Sequence, residues 1–365
     1  MLDNIALIRE IDPSKAYNYI ESLPQQIIES IYLSRRTLSS ISIEGTPRSI
    51  IACGMGGSGI GLNIAKSIVE KELRIPLLIV RSYNLPTFVN ERDLVFLCSY
   101  SGETEEVLYC FKEAVKRNAK VLTVSSGGSL EAFSQLINSV HVKIPKGLQP
   151  RMALGYLFPP LIVLLEKLNL IPSYIVDTLQ KSSISLKSFA RSLSIDVETE
   201  KNDAKKLALK IHDVLPLIYT YPPLSPIGLR FKQQLNENAK KYAVFQEFPE
   251  LTHNEIESVN TLRIRKALVL LRLRNEPRYL KEKLEVSMGL IQNFVDETIE
   301  IFPKGESIIS NLLHLLLLCD SVSLYVAYLR NMDPTSIPTI TTMKQKLRSG
   351  SNFTEELRKE IETFI

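Results

Sequence analysis

Short apolar runs alternate with amphipathic segments through the first half of the chain. The runs Ser49–Cys53, Leu77–Val80, Leu94–Cys98 and Val121–Val124 have the length and composition of strands, and the segments between them place apolar residues at helical spacing. Strands that are apolar on both faces indicate a parallel sheet covered by helices on both sides. In such a sheet, ligands bind where the strands end at their carboxyl edge.

The second half of the chain is predicted to repeat this order of elements. Val214–Thr220 reads as a strand, Leu229–Phe245 as a helix and Lys266–Leu273 as another strand, and a further helix follows Pro277. This half therefore looks like a degenerate copy of the first. The loop after its first strand carries prolines where the first half carries glycines, so we expect it to have lost an anion pocket.

The segment His141–Arg151 contains two prolines and a glycine without periodicity, and we predict a connection between domains there. The predicted domains are residues 1–148 and 149–331, followed by a C-terminal helical segment at 332–365. One helix is predicted to start at Pro334 and reach Leu347, and an amphipathic helix follows in residues 352–365. The predicted fold class is α/β, with two doubly wound parallel sheets plus C-terminal helices.

Two apolar stretches, Met152–Ile171 and Ile308–Leu329, are long enough to raise the question of a membrane span. The first contains adjacent prolines and the second contains Asp320. A carboxylate in the middle of a bilayer is costly. We therefore interpret both stretches as buried helices and expect no membrane partner.

Composition limits the class of protein. The 365 residues suit two domains, and 45% hydrophobic residues suit a globular protein that folds by burial. The charges nearly balance, with 44 Lys and Arg against 40 Asp and Glu, and no dense basic run suggests a nucleic-acid partner. The four cysteines lack paired spacing and the N-terminus lacks the pattern of a secretory signal, so we expect reduced thiols and a cytoplasmic location.

The first glycine-rich loop has the spacing Gly54-x-Gly56-x-x-Gly59 between a strand and a helix. This spacing fits a dinucleotide, but it equally fits any phosphate held at a helix N-terminus. A dinucleotide site favours an acidic residue after the second strand, where this chain has Arg81. Because an arginine suits a 2′-phosphate, a dinucleotide-dependent oxidoreductase remains an alternative.

A second loop carries more specific chemistry. It places the hydroxyls of Ser99, Ser101 and Thr104 at another strand-to-helix turn, and Ser58 belongs to the neighbouring glycine loop. Hydroxyls, amide groups and helix dipoles suit a terminal phosphate. N-capping explains one such hydroxyl but not the whole set. The sequence therefore predicts that the first domain binds a phosphate group.

The motifs in these turns resemble those of sugar isomerase (SIS) domain proteins. Four further motifs resemble the archaeal bifunctional phosphoglucose/phosphomannose isomerases, and together the matches extend from Ile50 to Leu347, leaving the tail unexplained. The six motifs are Gly-x-Gly-Gly-Ser-Gly at 54–59, Ser-Tyr-Ser-Gly-x-Thr-Glu-Glu at 99–106, Pro-Arg-x-Ala-Leu-Gly-Tyr at 150–156, Glu-Asn-x-Lys at 237–240, Glu-Leu-x-His-Asn-Glu at 250–255 and Asp-Pro-Thr-x-Ile-Pro-x-Ile at 333–340.

The resemblance implies reversible isomerisation of glucose 6-phosphate, and of mannose 6-phosphate, with fructose 6-phosphate through an enediolate. It implies Glu237 as the base, His253 and Lys344 in ring opening or hydroxyl binding, and Arg151 beside the oxyanion. The implied partners are hexose 6-phosphates and a second copy of the chain, in a homodimer with a shared active site. The implied phosphate-binding residues are Gly56, Gly57, Ser58, Ser99, Ser101 and Thr104.

Several of these assignments have rivals within the sequence. On a helical wheel, Glu237 lies far from the apolar residues, which is typical of a solvated face, and the nearby acids Glu247, Glu250 and Glu255 are alternative bases. Lys346 competes with Lys344, which borders the apolar stripe of its predicted helix. Arg151 and His253 are also consistent with ordinary surface positions.

The chemistry requires no metal or cofactor, and we predict neither. The four histidines, His141, His212, His253 and His314, show no metal-ligand spacing. A SIS domain that only senses a sugar phosphate is the non-enzymatic alternative; it needs the phosphate loops without the downstream glutamate, histidine and lysine.

Overall fold

The computed structural model describes residues 1–39, 45–348 and 352–365. It forms two compact units. The five-stranded unit comprises Leu23–Ile184 and Ile337–Ile365, and the four-stranded unit comprises Met1–Ser22 and Ser185–Ser336. The domain boundaries at 148 and 331 stay a prediction from the sequence.

The α/β fold class is confirmed, with two parallel sheets and C-terminal helices. The strands are β1 (Ile50–Cys53), β2 (Leu77–Val80), β3 (Leu94–Cys98), β4 (Lys120–Ser125), β5 (Val140–Lys143), β6 (Leu215–Thr220), β7 (Val244–Glu247), β8 (Lys266–Leu271) and β9 (Glu297–Ile301). The helices are α1 (Ile5–Ile11), α2 (Asn18–Leu38), α3 (Gly56–Val69), α4 (Glu105–Lys116), α5 (Gly128–Leu136), α6 (Leu154–Leu157), α7 (Pro159–Lys167), α8 (Tyr174–Ser192), α9 (Asp203–Ile211), α10 (Ser225–Ala239), α11 (Ile256–Val259), α12 (Arg278–Ile291), α13 (Ile308–Leu329), α14 (Pro338–Arg348) and α15 (Phe353–Glu362).

The five-stranded sheet has the order β2-β1-β3-β4-β5, with all neighbours parallel. The four predicted strands of this half are confirmed. Strand β5 was not predicted, because this short edge strand is only partly buried and lies in the segment that we interpreted as a connection. The order places β1 and β3, the strands before the two candidate loops, side by side.

The tail of the chain packs onto the five-stranded unit. Leu357 and Ile361 of α15 are buried in the same apolar cluster as Phe111 of α4. Lys112 of α4 also forms a 2.9 Å ion pair with Glu360. The predicted amphipathic helix in the tail is therefore confirmed, and its apolar face covers α4.

The four-stranded sheet has the order β7-β6-β8-β9, again with all neighbours parallel. The prediction of a helix reaching Phe245 was wrong. Helix α10 ends at Ala239 because Lys240 adopts the left-handed conformation, with φ 50° and ψ 36°, and the chain then forms β7. The helix predicted to start at Pro334 instead starts at Pro338.

Helix α13 is a buried helix of the four-stranded unit. It is long and apolar enough to cross a membrane, yet 94% of its most apolar window is buried inside the protein. Our interpretation of Ile308–Leu329 as a buried helix is therefore confirmed. Its one carboxylate, Asp320, is 1% exposed and paired with Arg230 of α10.

Candidate active site

The two candidate phosphate loops leave the five-stranded sheet at the same edge. Strands β1 and β3 are parallel and in register from Ile50 opposite Leu94 to Cys53 opposite Leu97. Both strands are fully buried. Because they are parallel neighbours in register, the loops that follow their carboxyl ends lie at adjacent positions. The structure therefore brings together the glycine loop (residues 54–59) and the loop of residues 99–104, which we call the hydroxyl loop.

The glycine loop forms the N-terminus of α3. Gly56 has a φ of +50°, a conformation that favours glycine, and no side chain caps the helix at Met55. The uncapped amide groups of the first turn and the helix dipole favour an anion here. At Gly57, an added Cβ would lie 3.0 Å from the carbonyl oxygen of Pro150 and 3.3 Å from the Cα of Arg151. The missing side chain thus allows the Arg151 backbone to approach the loop.

Arg151 lies in a short 3-10 turn, Pro150–Met152, and is 3% exposed. It is therefore not the surface arginine that the sequence left possible. A guanidinium group keeps its charge at any physiological pH. The structure places this fixed charge within the five-stranded unit, on a segment in contact with the glycine loop.

The hydroxyl loop is held by its own side chains. The oxygens Ser99 Oγ and Thr104 Oγ1 are 2.7 Å apart, and Ser99 Oγ accepts a 3.2 Å bond from the amide of Gly102. Ser58 Oγ accepts a 3.2 Å bond from the amide of Tyr100, which joins the two loops. Ser101 Oγ accepts a 3.2 Å hydrogen bond from the backbone amide of Glu103. The bonds from the amide groups use only oxygen lone pairs, and the Ser99–Thr104 contact uses one of the two hydroxyl protons, so the remaining hydroxyl protons of the set can be donated to an anion.

Thr104 precedes α4 at the N-cap position but makes no capping hydrogen bond. Its hydroxyl bonds Ser99 instead. Capping therefore does not account for this side chain, and the assignment of Thr104 to phosphate binding stays a prediction.

A third loop, residues 125–129, also lies at this edge and was not assigned a role from the sequence. Glu103 accepts bonds of 2.7 Å from the Ser129 amide and 2.9 Å from its hydroxyl, at the N-terminus of α5. At Gly102, whose φ is +73°, an added Cβ would lie 1.9 Å from the carbonyl oxygen of Gly127. The third loop thus holds the hydroxyl loop in place and binds Glu103, the only carboxylate in residues 99–104. The signal that could have found it is its position after the next strand of the sheet.

Glu237 lies on α10 in the four-stranded unit and is half-buried. It follows Arg230 by seven residues, which places both on nearly the same face of the helix. Arg230 binds Asp320 of α13 at 2.8 Å, and Asn238 donates a 2.8 Å bond to Ser323 of the same helix. This anchored, partly buried position differs from the solvated face that the wheel indicated.

Two of the three rival carboxylates have local partners. Glu255 accepts a 2.9 Å bond from the hydroxyl of Tyr219, and Glu250 accepts a 2.9 Å bond from Asn254. His253 is exposed and ends the short 3-10 turn Glu250–His253. The exposure of His253 agrees with the surface position that the sequence left open, and its role in ring opening stays a prediction.

Lys344 lies on α14 in the five-stranded unit, and both Lys344 and Lys346 are exposed. The apolar stripe used to choose between them is not buried, since Met343 is 54% and Leu347 55% exposed. Burial therefore does not distinguish the two lysines. Among the residues that the structure describes, no group of three metal-ligating side chains is found.

Comparison with known proteins identifies this architecture. Residues 200–347 match the family model described as bacterial phospho-glucose isomerase C-terminal SIS domain. The chain is 34% identical to a bifunctional phosphoglucose/phosphomannose isomerase of Caldicellulosiruptor bescii, over 91% of this chain and 98% of the relative. It is 33% identical to a bifunctional phosphoglucose/phosphomannose isomerase of Aquifex aeolicus, over 88% of this chain and 98% of the relative.

A likeness in fold extends to more distant proteins. The C-terminal domain of glucosamine-fructose-6-phosphate aminotransferase from Francisella tularensis superposes with a TM-score of 0.68, covering 88% of this chain and 98% of that domain. At 14% identity, this comparison supports the fold alone.

Proposed function

We propose that this chain, which belongs to the family of bifunctional phosphoglucose/phosphomannose isomerases, uses Glu237 as the base for proton transfer between C1 and C2 of a hexose 6-phosphate. The chain is a sugar-phosphate isomerase with phosphoglucose and phosphomannose isomerase activity. The observation that carries the activity is identity of about a third to these isomerases over nearly the whole chain. The residue assignments rest on the local geometry and on the chemistry that the reaction requires.

The six loop residues are the proposed phosphate ligands. Amide groups of Gly56, Gly57 and Ser58 at the start of α3 and the hydroxyls of Ser99, Ser101 and Thr104 suit the three oxygens of a phosphate monoester. The mutual bonds among these hydroxyls support the proposal because they hold the donors in place before a ligand arrives. Such preorganisation lowers the cost of binding.

Proton transfer needs a carboxylate at C2. In the proposed reaction, Glu237 accepts the C2 proton of the open-chain aldose while the C1 carbonyl oxygen becomes an enediolate oxyanion. The C2 hydroxyl proton passes to that oxygen, and the Glu237 carboxyl group, whose proton exchanges with solvent, returns a proton to C1, which leaves the carbonyl at C2. Glucose 6-phosphate and mannose 6-phosphate differ only at C2. Once C2 has lost its proton, both give the same enediolate, so one base serves both substrates when rotation about the C2–C3 bond turns the C2 hydrogen of each epimer towards it.

The remaining catalytic assignments follow from charge. Arg151 is the proposed partner of the oxyanion, since a fixed cation stabilises negative charge that develops in the transition state. His253 and Lys344 are the proposed groups for ring opening and hydroxyl binding. The exposure of His253 and Lys344 leaves them accessible to a sugar or to another molecule.

We also propose that the chain works as a homodimer. Beside His253, a groove of about 910 Å³ runs along α12 and is lined in part by apolar residues. Tyr279, Val286 and Leu290 are 77%, 66% and 60% exposed and lie together in this groove, and an apolar patch of this kind marks an interaction surface. A second copy of the chain would cover this face. Leu290→Asp should shift the sedimentation coefficient from a dimer to a monomer, and an unchanged value would contradict the proposal.

A cytoplasmic location is the proposed setting. All four cysteines are unpaired and buried, which suits a reducing compartment. Burial raises the pKa of the Cys98 thiol to about 12, so this side chain remains protonated beside the hydroxyl loop.

The test of the base is hydrogen exchange together with turnover. Purified protein is incubated with fructose 6-phosphate and a chelator, and glucose 6-phosphate and mannose 6-phosphate are measured. Glu237→Gln should lower kcat by about 10²–10⁴-fold and abolish deuterium uptake from D₂O at C1, with the phosphate ester still bound. Glu255→Gln is the matched control, because its carboxylate already bonds Tyr219. If Glu255→Gln loses exchange and Glu237→Gln retains it, the assignment of the base is wrong.

A further inference from the structure

Arg81 follows β2 and has no role in the function described so far. Strand β2 pairs with β1 in parallel, with Val80 opposite Cys53, so Arg81 stands beside the beginning of the glycine loop. Its Nε lies 3.2 Å from the position that a Cβ on Gly59 would occupy. The guanidinium group therefore packs against the first turns of α3, the helix whose N-terminus forms the proposed phosphate loop.

Two nitrogens of the half-buried Arg81 side chain are buried without a partner. Among the residues that the structure describes, its Nε and Nη2 are inaccessible to water and make no hydrogen bond. Burial alone lowers the pKa of Arg81. Buried guanidinium groups are normally paired with carboxylates, because an unpaired buried charge is costly.

Arg272 occupies a comparable position at the end of a strand, and its guanidinium group is paired with carboxylates. It directly follows β8, as Arg81 directly follows β2, and is 8% exposed. Its guanidinium binds Glu276 at 2.5 Å and Glu300 at 2.6 Å. The contrast indicates that Arg81 lacks an anion that Arg272 has within its own unit.

The proposed phosphate ligands provide no positive charge of their own. Residues 54–58 and 99–104 contain no lysine or arginine, and the only charged side chain in them, Glu103, is bound to Ser129. A sugar phosphate brings close to two negative charges. Neutral donors and a helix dipole alone compensate this charge only in part.

We propose that Arg81 is an additional anion-binding residue, which pairs its buried Nε–H and Nη2–H with the phosphate group of the hexose 6-phosphate. This inference rests on the proposed function and names a residue that its motifs do not include. The ion pair forms only in the complex, so in the free protein these two buried N–H groups lack the partner that the substrate supplies. Two parallel N–H donors suit two oxygens of one phosphate.

The sharpest test compares stability and binding in Arg81→Met. A structural arginine, when removed, leaves the free protein less stable. Here removal of a guanidinium group whose buried Nε–H and Nη2–H lack partners should leave the melting temperature of the free protein unchanged or higher. The rise in melting temperature caused by inorganic phosphate or fructose 6-phosphate should be much smaller than in the unmodified protein.

The kinetic counterpart is a change in KM. Loss of hydrogen bonds to a charged group predicts that Arg81→Met raises KM for fructose 6-phosphate roughly 10–100-fold, while kcat changes by less than about threefold. Arg81→Lys keeps the charge, and its KM should lie between those of the unmodified protein and Arg81→Met. Arg117→Met is the matched control in the same unit, because Arg117 pairs with Glu113 at 2.9 Å; its KM should be unchanged.

The outcomes separate this inference from the proposed function. If the protein isomerises fructose 6-phosphate and Arg81→Met has the original KM and phosphate stabilisation, Arg81 is not a ligand and the inference is overturned. If NADP⁺, and not phosphate or the sugar phosphate, gives the stabilisation that depends on Arg81, the inference is overturned as well. If no isomerisation occurs but phosphate stabilisation requires Arg81, the proposed function fails and Arg81 remains an anion ligand.

Discussion

Ser99 Oγ and Thr104 Oγ1 lie 2.7 Å apart and close the loop between β3 and α4. The pair fixes both hydroxyls at the edge where the glycine loop also ends. A single proton lies between the two oxygens, so the other hydroxyl proton is available to a ligand.

This relationship predicts the effect of removing one hydroxyl. Thr104→Val keeps the shape of the side chain and breaks no capping bond, since Thr104 makes none. We expect KM for fructose 6-phosphate to rise about tenfold or more, because a hydrogen bond to a charged group contributes roughly 1.5–3 kcal/mol. The free energy of unfolding should change by less than about 1 kcal/mol. Steady-state kinetics and urea unfolding measure the two quantities.

Thr104→Ser is the control, because it restores the hydroxyl. Its KM should lie within about threefold of the original value. If the valine and serine variants show the same KM, the hydroxyl does not bind the phosphate.

A second prediction distinguishes Lys344 from Lys346. Both lysines are exposed on α14, so burial does not select one. If the motif match is correct, Lys344→Met should lower kcat by about 10–100-fold, within the range of a group that assists proton transfer or binds a hydroxyl. Lys346→Met should leave kcat within about twofold. Steady-state kinetics with fructose 6-phosphate make the comparison, and the reverse result would move the assignment to Lys346.

Four of the five strands in the first sheet could be predicted because each is a short apolar run followed by a loop. Strand β1 and the loop after it are a clear example, since local sequence alone determines both. The hydroxyl loop was predicted for the same reason: three hydroxyls at one strand-to-helix turn exceed what capping needs.

Other features could not be predicted because they depend on distant parts of the chain. Strand β7 has no continuous apolar run, and its position is set by pairing with β6. Residues Met1–Ser22 belong to the four-stranded unit, where Tyr19 donates a 2.8 Å bond to Asp320. No local pattern connects residues 301 positions apart. The unpaired nitrogens of Arg81 likewise become visible only once its surroundings are known.

A third prediction concerns the buried ion pair of the four-stranded unit. Arg230 is 2% exposed and binds both oxygens of Asp320, which is 1% exposed. Burial lowers the pKa of Arg230, but Asp320 and Tyr19 more than offset that effect and raise it. Asp320→Asn should cost about 3–5 kcal/mol of unfolding free energy, because it leaves the guanidinium without its counter-charge.

Asp177→Asn provides the comparison in an exposed pair. Asp177 lies 3.5 Å from Arg35, and its side chain is 56% exposed, so its loss should cost no more than about 1 kcal/mol. Chemical denaturation of both variants gives the difference. Equal costs would show that burial does not govern the Arg230–Asp320 pair.

A fourth prediction concerns the tail. Leu357 of α15 is 2% exposed and packs in the cluster that contains Phe111 of α4. Leu357→Ala should destabilise the protein by about 2–5 kcal/mol. Leu347→Ala, at a position that is 55% exposed, should cost far less. If thermal unfolding shows that the two variants are equally stable, α15 does not contribute to the core of the five-stranded unit.

The fifth prediction is a loss of stability in acid caused by His314 of α13. Its ring stacks on Phe189 with centroids 3.7 Å apart, and its Nδ1 is buried without a partner among the described residues. Burial, and to a smaller extent Lys304, lowers its pKa to about 4, and Asp203 acts in the opposite direction. An unfolded histidine has a pKa near 6.5, so between about pH 4 and 6.5 the unfolded chain binds a proton that the folded protein does not. The contribution is therefore fully present above about pH 6.5 and is lost as the pH falls towards 4.

Between pH 7.5 and 5.0, the expected loss from His314 is about 2 kcal/mol of unfolding free energy. His314→Phe keeps a ring against Phe189 and cannot take up a proton. Over the same interval, its unfolding free energy should therefore fall by about 2 kcal/mol less than that of the unmodified protein. His212→Gln, at a more exposed position on the C-cap of α9, is the control and should follow the unmodified protein. Urea unfolding at the two pH values measures each difference. If His314→Phe loses as much stability in acid as the unmodified protein, the buried histidine is not the group responsible.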